Sequence, residues 1–186
     1  VTNLLCAAGS HGKDILSIWQ RVHPDEELAL YDANISQAMP WTGTVIIGIN
    51  KPSERRRIAE MCILEGASAL IDPSAICGAS VTAGPGCVIA PGTVLLHSVT
   101  LGRDVHINYA VSMTRCTISD FTTVCPGAVI AGDVEIGSDC LIGANATICD
   151  RVKIGNGVTI GAGAIVLPQS FVPDNARVVG LWPAKP

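Results

Sequence analysis

Aromatic side chains are scarce in this sequence: Trp, Tyr and Phe together make up 4% of 186 residues. A conventional core of interlocked rings cannot be built from so few. Basic runs are missing too. Twelve Lys and Arg against sixteen Asp and Glu leave a net charge of −4, which excludes a general nucleic-acid or membrane-surface partner. The opening VTNLLCAAGS has no basic leader, and no apolar stretch is long enough to span a bilayer. Neither a signal peptide nor a membrane anchor is expected, and a cytoplasmic location is. Eight cysteines contain no Cys-x-x-Cys, and the closest pairs, Cys116–Cys125 and Cys140–Cys149, lie nine residues apart. Most fall at small apolar positions, so they read as buried free thiols of a reducing compartment.

What the sequence has in abundance is a period of six. Ile130, Ile136, Ile142, Ile148, Ile154, Ile160 and Val166 recur at that interval, and Gly137, Gly143, Gly155 and Gly161 directly follow four of them. Four residues after each large aliphatic comes a small or β-branched one: Val134, Cys140, Ala146, Val152, Val158 and Ala164. Neither a helix nor a flat half-buried strand has this period. A strand that turns a corner every hexad does, with the Ile pointing inward on one face of a triangular prism. Three hexads make a coil, and coils stack at strand spacing, about 4.8 Å. The glycine is expected to supply the backbone freedom of the corner. The series also runs upstream from Cys77 through Ile89, Leu95, Leu101 and Ile107 to Met113. Between Met113 and Ile118 there are only five steps, so one residue is missing there.

The first 70 residues alternate differently. Strands are expected at residues 3–8, 28–31, 44–48 and 67–71, and helices at about 13–21 and 54–64, the second capped by Ser53. Strand–helix alternation of this kind predicts a Rossmann-like α/β unit over residues 1–71, followed by a β-helix with a C-terminal tail over 72–186. The turn Gly9-Ser10-His11-Gly12 lies between the first strand and helix, where backbone N–H groups favour a phosphate. Asp32 ends the second strand, where a carboxylate can accept from a ribose. Gly48 ends the third, where a missing side chain lets a ligand approach.

The Gly-Ser-His-Gly turn, Ile47-Gly-Ile-Asn-Lys-Pro-Ser53, Ile71-Asp-Pro-Ser-Ala-Ile76, the hexads and the Pro-Ala-Lys tail together resemble the sugar O-acyltransferase family. That family includes sialic acid O-acetyltransferases and UDP-4-amino-sugar N-acetyltransferases. The resemblance implies a left-handed parallel β-helix, an exception to right-handed crossover, assembled as a homotrimer. It also implies acetyl-CoA lying along the coils between subunits, with the acceptor's nucleotide held by the N-terminal unit. By match, Gly9, Ser10, His11, Asp32, Ala33 and Gly48 belong to the acceptor site. Gly132, Gly143, Ala144, Gly161, Ala162 and Lys185 belong to the CoA site.

Two departures accompany the match. The family's Gly-x-x-Gly-His-Gly reads Ala7-Ala-Gly-Ser-His-Gly here. The coil that carries the family's general base reads Ser112-Met113-Thr114-Arg115-Cys116, with no histidine, and Thr123 replaces a second ligand-orienting histidine, a place grouped here with the cofactor residues. Acetyl transfer needs a group to take a proton, and neither Thr nor Arg does so ordinarily. His97 and His106, nine residues apart, are the substitutes that spacing offers, His97 as base. Two rival readings stand beside the transferase. One is a nucleotide-sugar-binding protein without catalysis, and the other is a γ-type carbonic anhydrase, which needs three zinc-binding histidines where the coils have two. No metal site is expected.

Overall fold

A computed structural model describes residues 3–7, 10–26, 28–31, 45–61 and 68–183. Strands β1 (Asn3–Ala7), β2 (Leu28–Tyr31) and β3 (Val45–Gly48) form a parallel sheet in the order β2-β1-β3. Helix α1 (Ser10–Val22) follows β1, and α2 (Pro52–Met61) follows β3. Ile15, Ile18 and Trp19, at helical spacing, put an apolar stripe of α1 into the core. Both helices begin earlier than expected. Ser10-His11-Gly12 is the first turn of α1 rather than a loop before it. Pro52 takes the first helical position of α2, where its fixed φ and missing N–H cost nothing. Among the described residues, the α/β unit is thus a three-stranded parallel sheet with two short helices. Leu70–Ile71, expected to be its fourth strand, pairs instead with Val88–Ile89 of the coils.

From Leu70 onward the chain winds as a parallel β-solenoid of three faces, with seven, seven and six strands. Face I runs from Leu70–Ile71 through His106–Ile107, Thr123–Val124 and Leu141–Ile142 to Arg177–Val178. Face II runs from Ile76–Cys77 to Leu181–Trp182, and face III from Thr82–Ala83 to Phe171–Val172. Each hexad aliphatic points inward: Ile130, Ile136, Ile142, Ile148 and Ile160 are all at most 1% exposed. The small positions Cys140, Ala146, Val152, Val158 and Ala164 are fully buried among them. At roughly 25 cal/mol per Å² of apolar area removed from water, this column is the main stabilising element of the molecule.

The corners correct the expectation about glycine. The residue in the left-handed region lies two positions beyond the post-Ile glycine: Asp139, Asn145, Gly157 and Gly163 all have φ between 55° and 67°. Asn and Asp tolerate that conformation best after glycine. The glycine itself is required by the next coil. A Cβ on Gly143 would lie 2.5 Å from the backbone N of Ala162.

The missing residue is located by register. Met113 pairs with Leu95, eighteen positions back, but Cys116 pairs with Val99, seventeen back. The corners between faces II and III carry their left-handed residue at Ser98, Arg115, Asp133, Arg151 and Gln169. Elsewhere two residues separate the inward aliphatic from that position, Leu96-His97 and Ala131-Gly132 for instance. Here Thr114 alone does. Arg115 therefore occupies the column of Ser98, not of His97.

Candidate active site

The same outward position of face I has two different environments. Leu141 and Thr159 are half-buried and Arg177 is exposed, whereas Leu70, Val88, His106 and Thr123 are buried. The α/β unit sits on these upper rungs. Ile15, Ile18, Trp19 and Ile46 form one apolar cluster with Leu70, Val88 and Ala90.

Below that cluster the joint is polar, and one cation holds it together. Arg55 of α2 is 0% exposed. Its Nε donates to Asp104 O at 2.8 Å, Nη1 to Ile49 O at 2.7 Å, and Nη2 to Phe121 O at 2.6 Å and Thr123 Oγ1 at 2.9 Å. Burial lowers its pKa to about 10, against the smaller opposing charge of Asp104, so the guanidinium remains charged at neutral pH. The Thr123 hydroxyl in turn donates to Asn50 O at 2.8 Å. Asn108 joins the cluster, its Nδ2 donating to Val124 O at 3.0 Å.

Beside Arg55 lies a pair of imidazoles. His11 Nε2, from the first turn of α1, is 3.1 Å from His106 Nδ1, with ring centroids 5.4 Å apart. His106 is 1% exposed, and its Nε2 is buried without a hydrogen-bond partner. Burial, then the charge of Arg55, then His11 hold His106 well below the ordinary imidazole value. Burial and Arg55 also lower His11, against a smaller opposing effect of Asp14. Both rings are therefore neutral near pH 7.

The residues singled out in the sequence are distributed over several places. Gly9, Asp32, Ala33 and Lys185 lie outside the described residues. Ser10 and His11 open α1, and Gly48 is buried at the end of β3, paired with Ala7. His97 and His106 are not brought together: His97 is exposed on the corner between faces II and III, and His106 lies under the α/β unit on face I. Thr123 is fully buried in the joint. Gly143-Ala144 and Gly161-Ala162 share the corner between faces I and II on successive coils, where Gly163 N donates to Ala144 O. Gly132 is at a different corner and is covered by Arg115, whose guanidinium a Cβ there would strike.

The shortened corner opens a cavity of about 410 Å³ lined by Ser98, Arg115, Cys116, Thr117, Asp133, Val134 and Glu135. Arg115 pairs with Asp133, the next residue of the same corner column, at 3.2 Å. The buried Thr114 Oγ1 has no partner. Cys116 beside it has a thiol raised to about 12 by burial, so it is not a nucleophile. Among the described residues no three His, Cys, Asp or Glu side chains are grouped to hold a metal, and no helix is long and apolar enough to cross a membrane.

Arg55, Asn50 and Asn108 were not legible as site residues. The run Glu54-Arg-Arg-Arg57 looks like a solvated basic face. One signal was available: Arg55 stands three and four residues before Ile58 and Ala59, on the buried side of the helix.

Residues 115–150 and 135–168 match the bacterial transferase hexapeptide (six repeats) family. No curated protein sequence matches the chain. Among solved structures, the acetyltransferase domain of PglB from Neisseria gonorrhoeae FA1090 is 25% identical, with a TM-score of 0.87 over 100% of this chain and 98% of that one. The same domain in complex with acetyl coenzyme A aligns at 26% identity and a TM-score of 0.86, with the same coverage. A variant of perosamine N-acetyltransferase from Caulobacter crescentus, in complex with CoA and GDP-perosamine, shares the fold at 22% identity, with a TM-score of 0.84 over 100% of this chain and 96% of that one.

Proposed function

We propose that this chain is an acetyl-CoA-dependent acetyltransferase acting on an amino or hydroxyl group of a nucleotide-linked sugar or related small acceptor. The observation that carries the reading is whole-chain similarity, at 26% identity, to an acetyltransferase domain that binds acetyl coenzyme A. The hexapeptide match and the small-residue corner at Gly143-Ala144 and Gly161-Ala162 agree with it. In this reading the coils are left-handed and assemble as a homotrimer, and the pantetheine arm lies along that corner, with Lys185 toward a CoA phosphate. The α/β unit acts as a Rossmann-like holder of the nucleotide through Gly9, Ser10, Asp32, Ala33 and Gly48.

The test is incubation with acetyl-CoA and a panel of nucleotide amino and hydroxy sugars, read by mass spectrometry. A mass gain of one acetyl group on one acceptor is the expected result. Asp32→Ala is expected to weaken nucleotide binding without changing affinity for CoA. Equal loss of both, with the fold intact, contradicts the two-site division. A second reading, a nucleotide-sugar-binding protein without catalysis, is favoured by the loss of a residue at Thr114-Arg115. No acetylated product, together with calorimetric binding of nucleotide but not acetyl-CoA, would establish it.

A further inference from the structure

We infer that His11 is the general base of this protein and that His106, buried behind it, is the residue that positions it. The inference rests on the acetyl-transfer reading and names the group that removes the acceptor's proton. Spacing alone would choose His97. That ring is exposed on a corner, and no described residue holds it by a hydrogen bond. His11 is held. It stands on the first turn after β1, the element that carries the acceptor end, and its side chain reaches His106 on face I, two coils before the Gly143-Ala144 corner. Its ring links the acceptor element to the coils.

The chemistry of the pair follows from its donors. Two neutral imidazoles 3.1 Å apart share one N–H. When His11 Nε2–H donates to His106 Nδ1, the lone pair of His11 lies on Nδ1, which is bonded to no described residue and belongs to a half-buried ring. His106 then carries its own proton on Nε2, buried and unpaired. An orphaned buried polar atom of this kind is rare in folded proteins and calls for a reason. The contact at His106 Nδ1 fixes where the first ring sits, and the tautomer in which His11 donates is the one a base requires. Arg55 faces both rings from α2, and Asp14 faces His11 from its own helix while bonding Tyr109. The cation and the burial keep the pair neutral and ready to accept.

In the step so assigned, the acceptor nitrogen or oxygen bonds to the thioester carbonyl carbon as its proton passes to His11 Nδ1. Throughout, Nε2–H of the imidazolium donates to His106. The tetrahedral intermediate then breaks its C–S bond, and the same proton goes from Nδ1 to the departing CoA sulfur. Atoms and charge balance without another reactant.

The experiment compares wild type, His11→Ala, His106→Ala and His106→Asn with acetyl-CoA and an acceptor that wild type acetylates. Thiol release and product mass are followed from pH 5 to 9. His11→Ala is expected to lower kcat by about 10²–10⁴-fold, with KM within a few-fold, and added imidazole to restore part of it. His106→Ala is expected to lower kcat less and to move the acid limb of the pH profile. His106→Asn, which still offers an acceptor to Nε2–H, returns toward wild type. A purely structural role would change melting temperature and leave the acid limb where it was. An undiminished kcat in His11→Ala, or a loss confined to KM, overturns the inference while the transferase reading stands. A wild-type protein that acetylates no acceptor overturns both.

Discussion

Two stretches of the same face are built from the same repeat and end differently. On the lower coils, Leu141, Thr159 and Arg177 face outward with partial or full access to solvent. On the upper coils the equivalent Val88, His106 and Thr123 are buried under the α/β unit. Inward positions do not differ: Ile107, Val124, Ile142 and Ile160 are equally dry. The hexad therefore dictates the inside of the prism and leaves the outside open. A histidine that would be partly solvated two coils lower becomes here a neutral ring bonded to a second imidazole, with its Nε2 buried and without a partner.

That contrast can be broken at the inside first. Ile142→Asp places an uncompensated carboxylate in the column and is expected to cost several kcal/mol, a large part of a domain's stability. Thr159→Asp, one coil on but outward, is expected to stay within about 0.5 kcal/mol. Denaturant melts of the two variants check the pair, and comparable losses would contradict the assignment of inward and outward positions.

A smaller effect is expected at the joint. Arg55→Met removes donors from several buried carbonyls and from Thr123, costing roughly 2–4 kcal/mol. The loss should appear in amide exchange of α2 and of the upper coils while the lower coils keep their protection. Arg55→Lys preserves the charge but not the planar fork, and is expected to recover less than half of the difference. Uniform loss of protection along the whole solenoid would argue that the joint is not a separate element.

The smallest effect sharpens the comparison through pH. His106 in the folded protein lies well below its ordinary value of 6.5, and His11 is shifted in the same direction. The unfolded chain thus binds more protons than the folded one as pH falls below about 6.5. Stability is greatest above that value and declines below it, by up to about 1.4 kcal/mol per pH unit for each group. Melting temperatures between pH 7.5 and 5 should fall more steeply in wild type than in His106→Asn. Equal slopes would mean that His106 is not held neutral by its surroundings.

The period of six, the inward aliphatics and the place of the missing residue were all legible in the sequence, because each follows from local spacing that any parallel coil must respect. So were the strands of the α/β unit and the apolar stripe of α1. The sequence misassigned the corners: the glycine after each Ile answers to the coil stacked beneath it, a contact eighteen residues away, and not to its own torsion. It likewise placed Leu70–Ile71 in the wrong sheet, since a two-residue strand carries no mark of its partner. The joint was decided by tertiary structure alone. Arg55 became a staple, Thr123 its acceptor and His106 the partner of His11 only when α2 and the first turn of α1 settled on face I. Burial there removes water from groups that a sequence can only count as polar. What those groups then do depends on which neighbours replace that water.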